Sequence, residues 1–105
     1  MTLSNDERQA VVIFRLQKAE VTLEEAKGNL QMKYWAVVAN RLYYAAYYAV
    51  SALLIYNGFD AQTHGGIIRL FGLHFISKGI VTRESGRFLT LTMRHPIQIP
   101  IQLVS

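Results

Sequence analysis

Residues 40–58 read NRLYYAAYYAVSALLIYNG. Five of the chain's six tyrosines lie here, and the sixth, Tyr34, stands just upstream. Between Leu42 and Tyr56 only Ser51 falls outside the apolar and aromatic set. Three readings compete for such a run: a membrane span, a core helix, or a binding surface. A segment over residues 34–56 is long enough to span a bilayer. It would, however, carry Asn40 and Arg41 inside the span, where an arginine costs roughly 3 kcal/mol or more. Alanine and tyrosine are also less lipid-like than leucine. The run is therefore read as a helix over residues 33–57, apolar nearly all round, central and buried. Gly58, preceded by Asn57, is its expected stop.

Working toward the N-terminus, residues 4–29 predict an amphipathic helix. Ser4 and Glu7 have capping-box spacing, in which each side chain satisfies an orphan N–H of the first turn. Val12, Leu16, Ala19, Leu23, Ala26 and Leu30 step by 4, 3, 4, 3, 4 and form one stripe facing a partner helix. Arg15, Lys18, Glu24, Glu25 and Lys27 lie off that stripe and are expected in solvent. Gly28-Asn29 marks the expected end, because glycine is costly in a helix interior.

Working toward the C-terminus, FDAQT is a loop, and Thr63 is placed to cap a third helix from His64 to Lys78, with Gly79 as its stop. Ile67, Leu70, Phe71 and Phe75 supply its inner stripe. A shorter helix from Glu84 to Arg94 follows. HPIQIPIQLVS then alternates with strand period, with two prolines that restrict it to an edge strand or an extended tail. The expected architecture is all-α: an antiparallel up-and-down bundle of three long helices plus a short fourth. Residues 1–94 form the bundle and 95–105 an atypical tail.

Composition narrows the chemistry. The chain has 105 residues and no cysteine, which removes disulfides, thiolate metal sites and cysteine nucleophiles. Three histidines with few carboxylates make a weak metal set, and no cofactor is expected. The N-terminus lacks the basic-then-apolar order of a signal peptide, so the expected location is cytoplasmic, with no membrane partner. The net charge is +4. From Lys27 onward, basic residues face only Asp60 and Glu84, a balance that suits an anionic partner such as RNA or a nucleotide.

Two sets of residues could engage such a partner. Tyr43/Tyr47 and Tyr44/Tyr48 are i, i+4 pairs, with alanines between them that allow another helix to approach closely. This pattern serves a packed helix interface, including one between two copies. Arg41, Tyr44, Tyr48 and Ser51 step by 3, 4, 3 and share a face. An arginine beside exposed rings is suited to phosphate and base contact. His64 opens the third helix beside two glycines, where free backbone N–H groups can hold an anion. Arg69 and His74 stand five apart, about 140° around a straight helix.

ANRLYYAAYYAVSALLIYNG, then THGGIIRLFGLHFISKG, then FLTLTMR, resembles the HEPN domain family over residues 4–94. That family commonly shows Arg-x-x-Tyr-Tyr-Ala on a long helix, as at Arg41 to Ala45, and His-x-x-x-x-x-x-Phe on the next, as at His64 to Phe71. The resemblance implies a helical bundle, usually a homodimer, associated with nucleotide or RNA. It also implies a toxin–antitoxin component whose partner is a minimal nucleotidyltransferase. Some relatives are metal-independent RNases using an Arg, a short spacer and a His. Arg69 and His74 match that spacing, but Ile76 stands where the motif wants tyrosine, and the pair lies earlier than usual. A degenerate dimerisation unit without ligand is the remaining alternative. Relatives typically continue past the position of Arg94 into a further helix. With HPIQIPIQLVS there instead, the bundle is expected to expose an apolar groove.

Overall fold

The computed structural model describes residues 3–94. The strand-like pattern of 97–103 and His95 lie outside the described residues. Four helices follow in order: α1, Asn5–Gln31; α2, Trp35–Tyr56; α3, His64–Phe71, continued by a π-helical turn over Gly72–Ile76; and α4, Arg83–Arg94. No strand occurs among the described residues. The fold is all-α, as the periodicities required.

The caps behave as their side chains dictate. The Ser4 hydroxyl accepts from the Glu7 N–H at 3.2 Å, and the Ser4 N–H donates to the Glu7 carboxylate at 3.0 Å. The backbone N–H of Ser4, then its hydroxyl, hold the Glu7 carboxyl below its ordinary value. Thr63 caps α3 by accepting from the Gly66 N–H at 3.0 Å. Gly58 at φ +82° and Gly79 at φ +74° take the left-handed conformation that ends a helical segment at little cost.

Several boundaries differ from the sequence reading. α1 does not stop at Gly28-Asn29 but runs to Gln31. The Asn29 side chain donates to the Glu25 carbonyl, and the turn is made later, by Lys33 at φ +61°. A Cβ added at Gly28 would meet nothing within 4 Å. Gly28→Ala should therefore raise stability by about 0.5–1 kcal/mol through lower unfolded-state entropy. A melting temperature several degrees higher checks it, and an unchanged or lower one counts against it. α3 keeps α geometry only to Phe71, not to Lys78. The chain then widens into the π turn, where the Ser77 N–H reaches the Gly72 carbonyl. α4 begins at Arg83. Its Gly86 lies so close to Ile76 that a Cβ there would fall 2.5 Å from that side chain, so α4 crosses the π turn in contact.

α1 and α2 run antiparallel as a long hairpin. Arg8 Nη1 donates to the Ile55 carbonyl at 2.8 Å near one end, and Arg41 Nη1 meets Glu25 Oε1 at 3.2 Å toward the other. The main core lies beyond this hairpin, where Val50 and Leu54 of α2 meet Ile67, Ile68, Phe71, Phe75 and Met93. Phe71, Leu54 and Met93 are its largest fully buried side chains.

The α1 stripe is rotated from its predicted setting. Val12 and Ala26 are buried as expected, but Leu16, Leu23 and Leu30 are 50%, 40% and 49% exposed. Thr22 is buried in their place, its hydroxyl bonded to the Lys18 carbonyl. The face turned to α2 is Arg8, Val12, Arg15, Ala19, Thr22 and Ala26, also spaced by 4 and 3. Small side chains at its centre let the two helices approach. Leu16 and Leu23 border an apolar groove between α1, α2 and α4, in two lobes of about 470 and 390 Å³ that share Ala49 and Leu89. Among the described residues no helix is long and apolar enough to cross a membrane.

Candidate functional site

The tyrosine columns of α2 lie on the opposite flank of the hairpin from the leucines. There they form a run of rings. Arg41 stands over the Tyr44 ring at 5.4 Å from its centroid. Tyr44 meets Tyr43 edge-on at 5.0 Å and Tyr48 at 6.2 Å, and Tyr48 meets Tyr47 edge-on at 6.1 Å. Tyr44 is exposed, while Arg41, Tyr43, Tyr47 and Tyr48 are half-buried. Tyr44 is thus open to solvent with the part-exposed Arg41 beside it, an arrangement that can hold a phosphate on the guanidinium N–H groups its neighbours leave over and a base on the ring.

Arg41 is held in place by neighbours. Its Nε donates to Asn40 Oδ1 at 3.0 Å and its Nη1 to Glu25 at 3.2 Å. Glu25 is exposed, as expected, and from there its carboxylate sets the guanidinium beside Tyr44. Ser51, expected on the same open face, is buried one turn further along α2.

His64 is not free to bind an anion. Its ring stacks between Tyr47, at 5.6 Å and 7° between planes, and Tyr43, at 5.5 Å and 27°. Nε2 lies 2.6 Å from the Met93 carbonyl, which can only accept, so this nitrogen carries the proton. Nδ1 lies 3.3 Å from the Tyr43 hydroxyl, which donates to it when the ring is neutral. Both nitrogens are engaged. His64 ties the start of α3 to the last turn of α4 and fixes two of the tyrosines from behind.

Burial raises the Tyr43 hydroxyl above the ordinary tyrosine pKa, and the nearby Tyr44 and Tyr47 phenols raise it further. Folding therefore favours the protonated phenol. Its contribution is full below the ordinary value near 10 and is lost as pH rises through the raised folded value. Absorbance titration at 295 nm should show one phenol ionising after the rest, and Tyr43→Phe should remove that last step. Survival of the step in the variant would assign it elsewhere.

Arg69 and His74 have separate surroundings. Arg69 is exposed on α3. His74, in the π turn, stacks on Phe59 at 4.2 Å. Neither lines the tyrosine flank, and among the described residues no hydrogen bond joins them.

Two neighbouring clefts open on the same flank and bring in residues that sequence reading assigned to solvent. One, about 400 Å³, lies between Arg15, Lys18, Phe14 and Tyr48. The other, about 600 Å³, is lined by Arg8, Arg15, Tyr47, Ser51, Phe59 and Asp60 among others. Arg15 is half-buried on the wall between them. The spacing of Arg8 and Arg15, seven apart in step with Val12 and Ala19, was the available signal. It was hidden by the more apolar leucine stripe.

The sequence pattern of the HEPN domain matches residues 12–99. The chain belongs to the HEPN domain family. Its relatives include a "UPF0332 protein" of Thermotoga maritima, 31% identical over 90 residues, covering 86% of this chain and 68% of the relative. The Methanocaldococcus jannaschii protein named "Putative toxin MJ0605" is 31% identical over 88 residues, 84% of this chain and 65% of that one. A "UPF0332 protein" of Pyrococcus horikoshii is 43% identical over 51 residues, 49% of this chain but 36% of its own length. This HEPN chain thus spans about two thirds or less of these relatives. No solved structure matches it significantly.

Proposed function

We propose that this HEPN chain is a nucleotide- or RNA-binding module and a component of a toxin–antitoxin pair, acting with a nucleotidyltransferase. The observation that carries the binding half is the pairing of part-exposed Arg41 with exposed Tyr44, extended by Tyr48. Arg41 supplies a guanidinium for phosphate, and the rings supply stacking surfaces for a base, at about 1–3 kcal/mol per stacked base. His64 acts as a positioning residue behind Tyr43 and Tyr47. Relatives that carry the name "Putative toxin" support the toxin part of the second half. A homodimer belongs to this reading, and the exposed leucines beside α4 offer it an apolar surface.

Titration with AMP, ATP and a short RNA at low salt tests the ligand. Binding is expected, weakened about tenfold or more in Tyr44→Ala and Arg41→Ala. No binding by the folded protein would remove the ligand and leave a dimerisation unit. In that case Arg41→Ala would change stability alone.

The π turn favours one second reading, because such turns recur at functional sites. His74 would act as acid and base in a metal-independent RNase, with Arg69 stabilising the anionic transition state. Equal RNA cleavage by wild type and His74→Ala would exclude His74 from the mechanism.

A further inference from the structure

Two cations on the tyrosine flank have no assigned work. Arg8 donates to the Ile55 carbonyl, and Arg41 belongs to the Tyr44 site, where Glu25 and Asn40 hold it. Arg15 and Lys18 pair with no carboxylate among the described residues. Lys18 is exposed, whereas Arg15 is half-buried, a costly setting for a cation unless a partner repays it. Their surroundings are aromatic: Phe14 and Tyr48 in the smaller cleft, Tyr47 and Phe59 in the larger. Among the described residues the only carboxylate lining either cleft is Asp60, at the loop end of the larger one.

The positions fall in a line. α1 rises about 1.5 Å per residue, so Arg15 and Lys18 sit roughly 10 and 15 Å along the hairpin from Arg8. The antiparallel register sets Arg15 and Lys18 beside Tyr48, and Tyr44 and Arg41 follow further along. Cations and rings therefore alternate along one flank for about 25 Å, measured by the α1 rise from Arg8 to Glu25. A mononucleotide has one site's worth of phosphate and base. A ligand that uses this flank has a repeating anion and a repeating planar group.

We propose that the α1–α2 flank is a path for single-stranded oligonucleotide, with Arg15 and Lys18 contacting successive backbone phosphates while bases stack on Tyr44 and Tyr48. This rests on the binding reading above and adds to it the class of ligand and two further contact residues. The face offers ring surfaces and charge with few groups placed to read base edges, so binding is tolerant of sequence. Arg15 lies on the wall between the clefts, where a strand passing from one to the other must cross it.

Fluorescence anisotropy with a labelled oligouridylate, and competition by UMP, decides the matter. The oligonucleotide should bind more tightly than UMP, with affinity falling as salt rises. Arg15→Gln and Lys18→Gln should each reduce the magnitude of the log–log salt slope by about 0.7 and leave UMP binding unchanged. Lys18→Glu, at an exposed position that cannot disturb the helix interface, should weaken the oligonucleotide further. Circular dichroism confirms that each variant is folded. If UMP binds through Arg41 and Tyr44 but the oligonucleotide gains nothing, or the slopes do not change, the strand path is wrong and the nucleotide site stands. If neither ligand binds, both readings fall.

Discussion

Phe71→Ala should cost about 3–5 kcal/mol, the range for deleting a buried ring and leaving a cavity. Phe71 is fully buried at the meeting point of α2, α3 and α4, with Phe75 beside it at 6.2 Å between ring centroids. The packed surroundings can collapse only in part. A domain of this size has about 5–15 kcal/mol in total. An open apolar groove along the hairpin points toward the low end. The variant should therefore melt tens of degrees lower, or be largely unfolded at room temperature, by circular dichroism. Phe88→Ala is the control: Phe88 is 64% exposed and should change stability by less than about 0.5 kcal/mol. Similar small losses in both variants would mean that the core is not where it is described.

His64→Ala should cost about 2–3 kcal/mol, from two losses. The Met93 carbonyl loses its ring N–H donor, and an unsatisfied buried acceptor costs about 1–3 kcal/mol. The stacking against Tyr43 and Tyr47 is lost as well, at about 0.5–1.5 kcal/mol for a well-formed ring pair. The damage should be local. Hydrogen exchange should quicken at the last turn of α4 and the first turn of α3, with the middle of α1 unaffected. Because both ring nitrogens already have partners, nucleotide affinity should fall only modestly in the folded variant. A large affinity loss with unchanged stability would instead make His64 a direct ligand contact.

Much of the fold was legible because local chemistry settled it. Ser4 with Glu7, Thr63 before the glycines, and Gly58 and Gly79 as stops each act through backbone groups a few residues away. Such signals survive whatever the rest of the chain does. Where tertiary packing competes with local preference, the sequence reading drifted. Gly28 looked like a helix end on propensity, yet α1 passes through it. The α-helical spacing of α3 gave no hint of the π turn, where Ile76 packs against Gly86 of α4.

The candidate site divides in the same way. Arg41, Tyr44 and Tyr48 were readable as one face from their 3 and 4 spacing, since helix geometry alone decides which residues share a side. That Glu25 would hold Arg41, or that His64 would be clamped between tyrosines rather than open, depended on contacts across 16 to 29 positions of sequence. The alternation of apolar and polar residues determined that α1 has an inward face. It offered two such faces, one of leucines and one of alanine, threonine and arginine, with the same period. Tertiary structure chose between them. Ala19, Thr22 and Ala26 let α1 settle against the alanines of α2, and that close fit leaves the leucines at the groove and Arg15 beside the tyrosines.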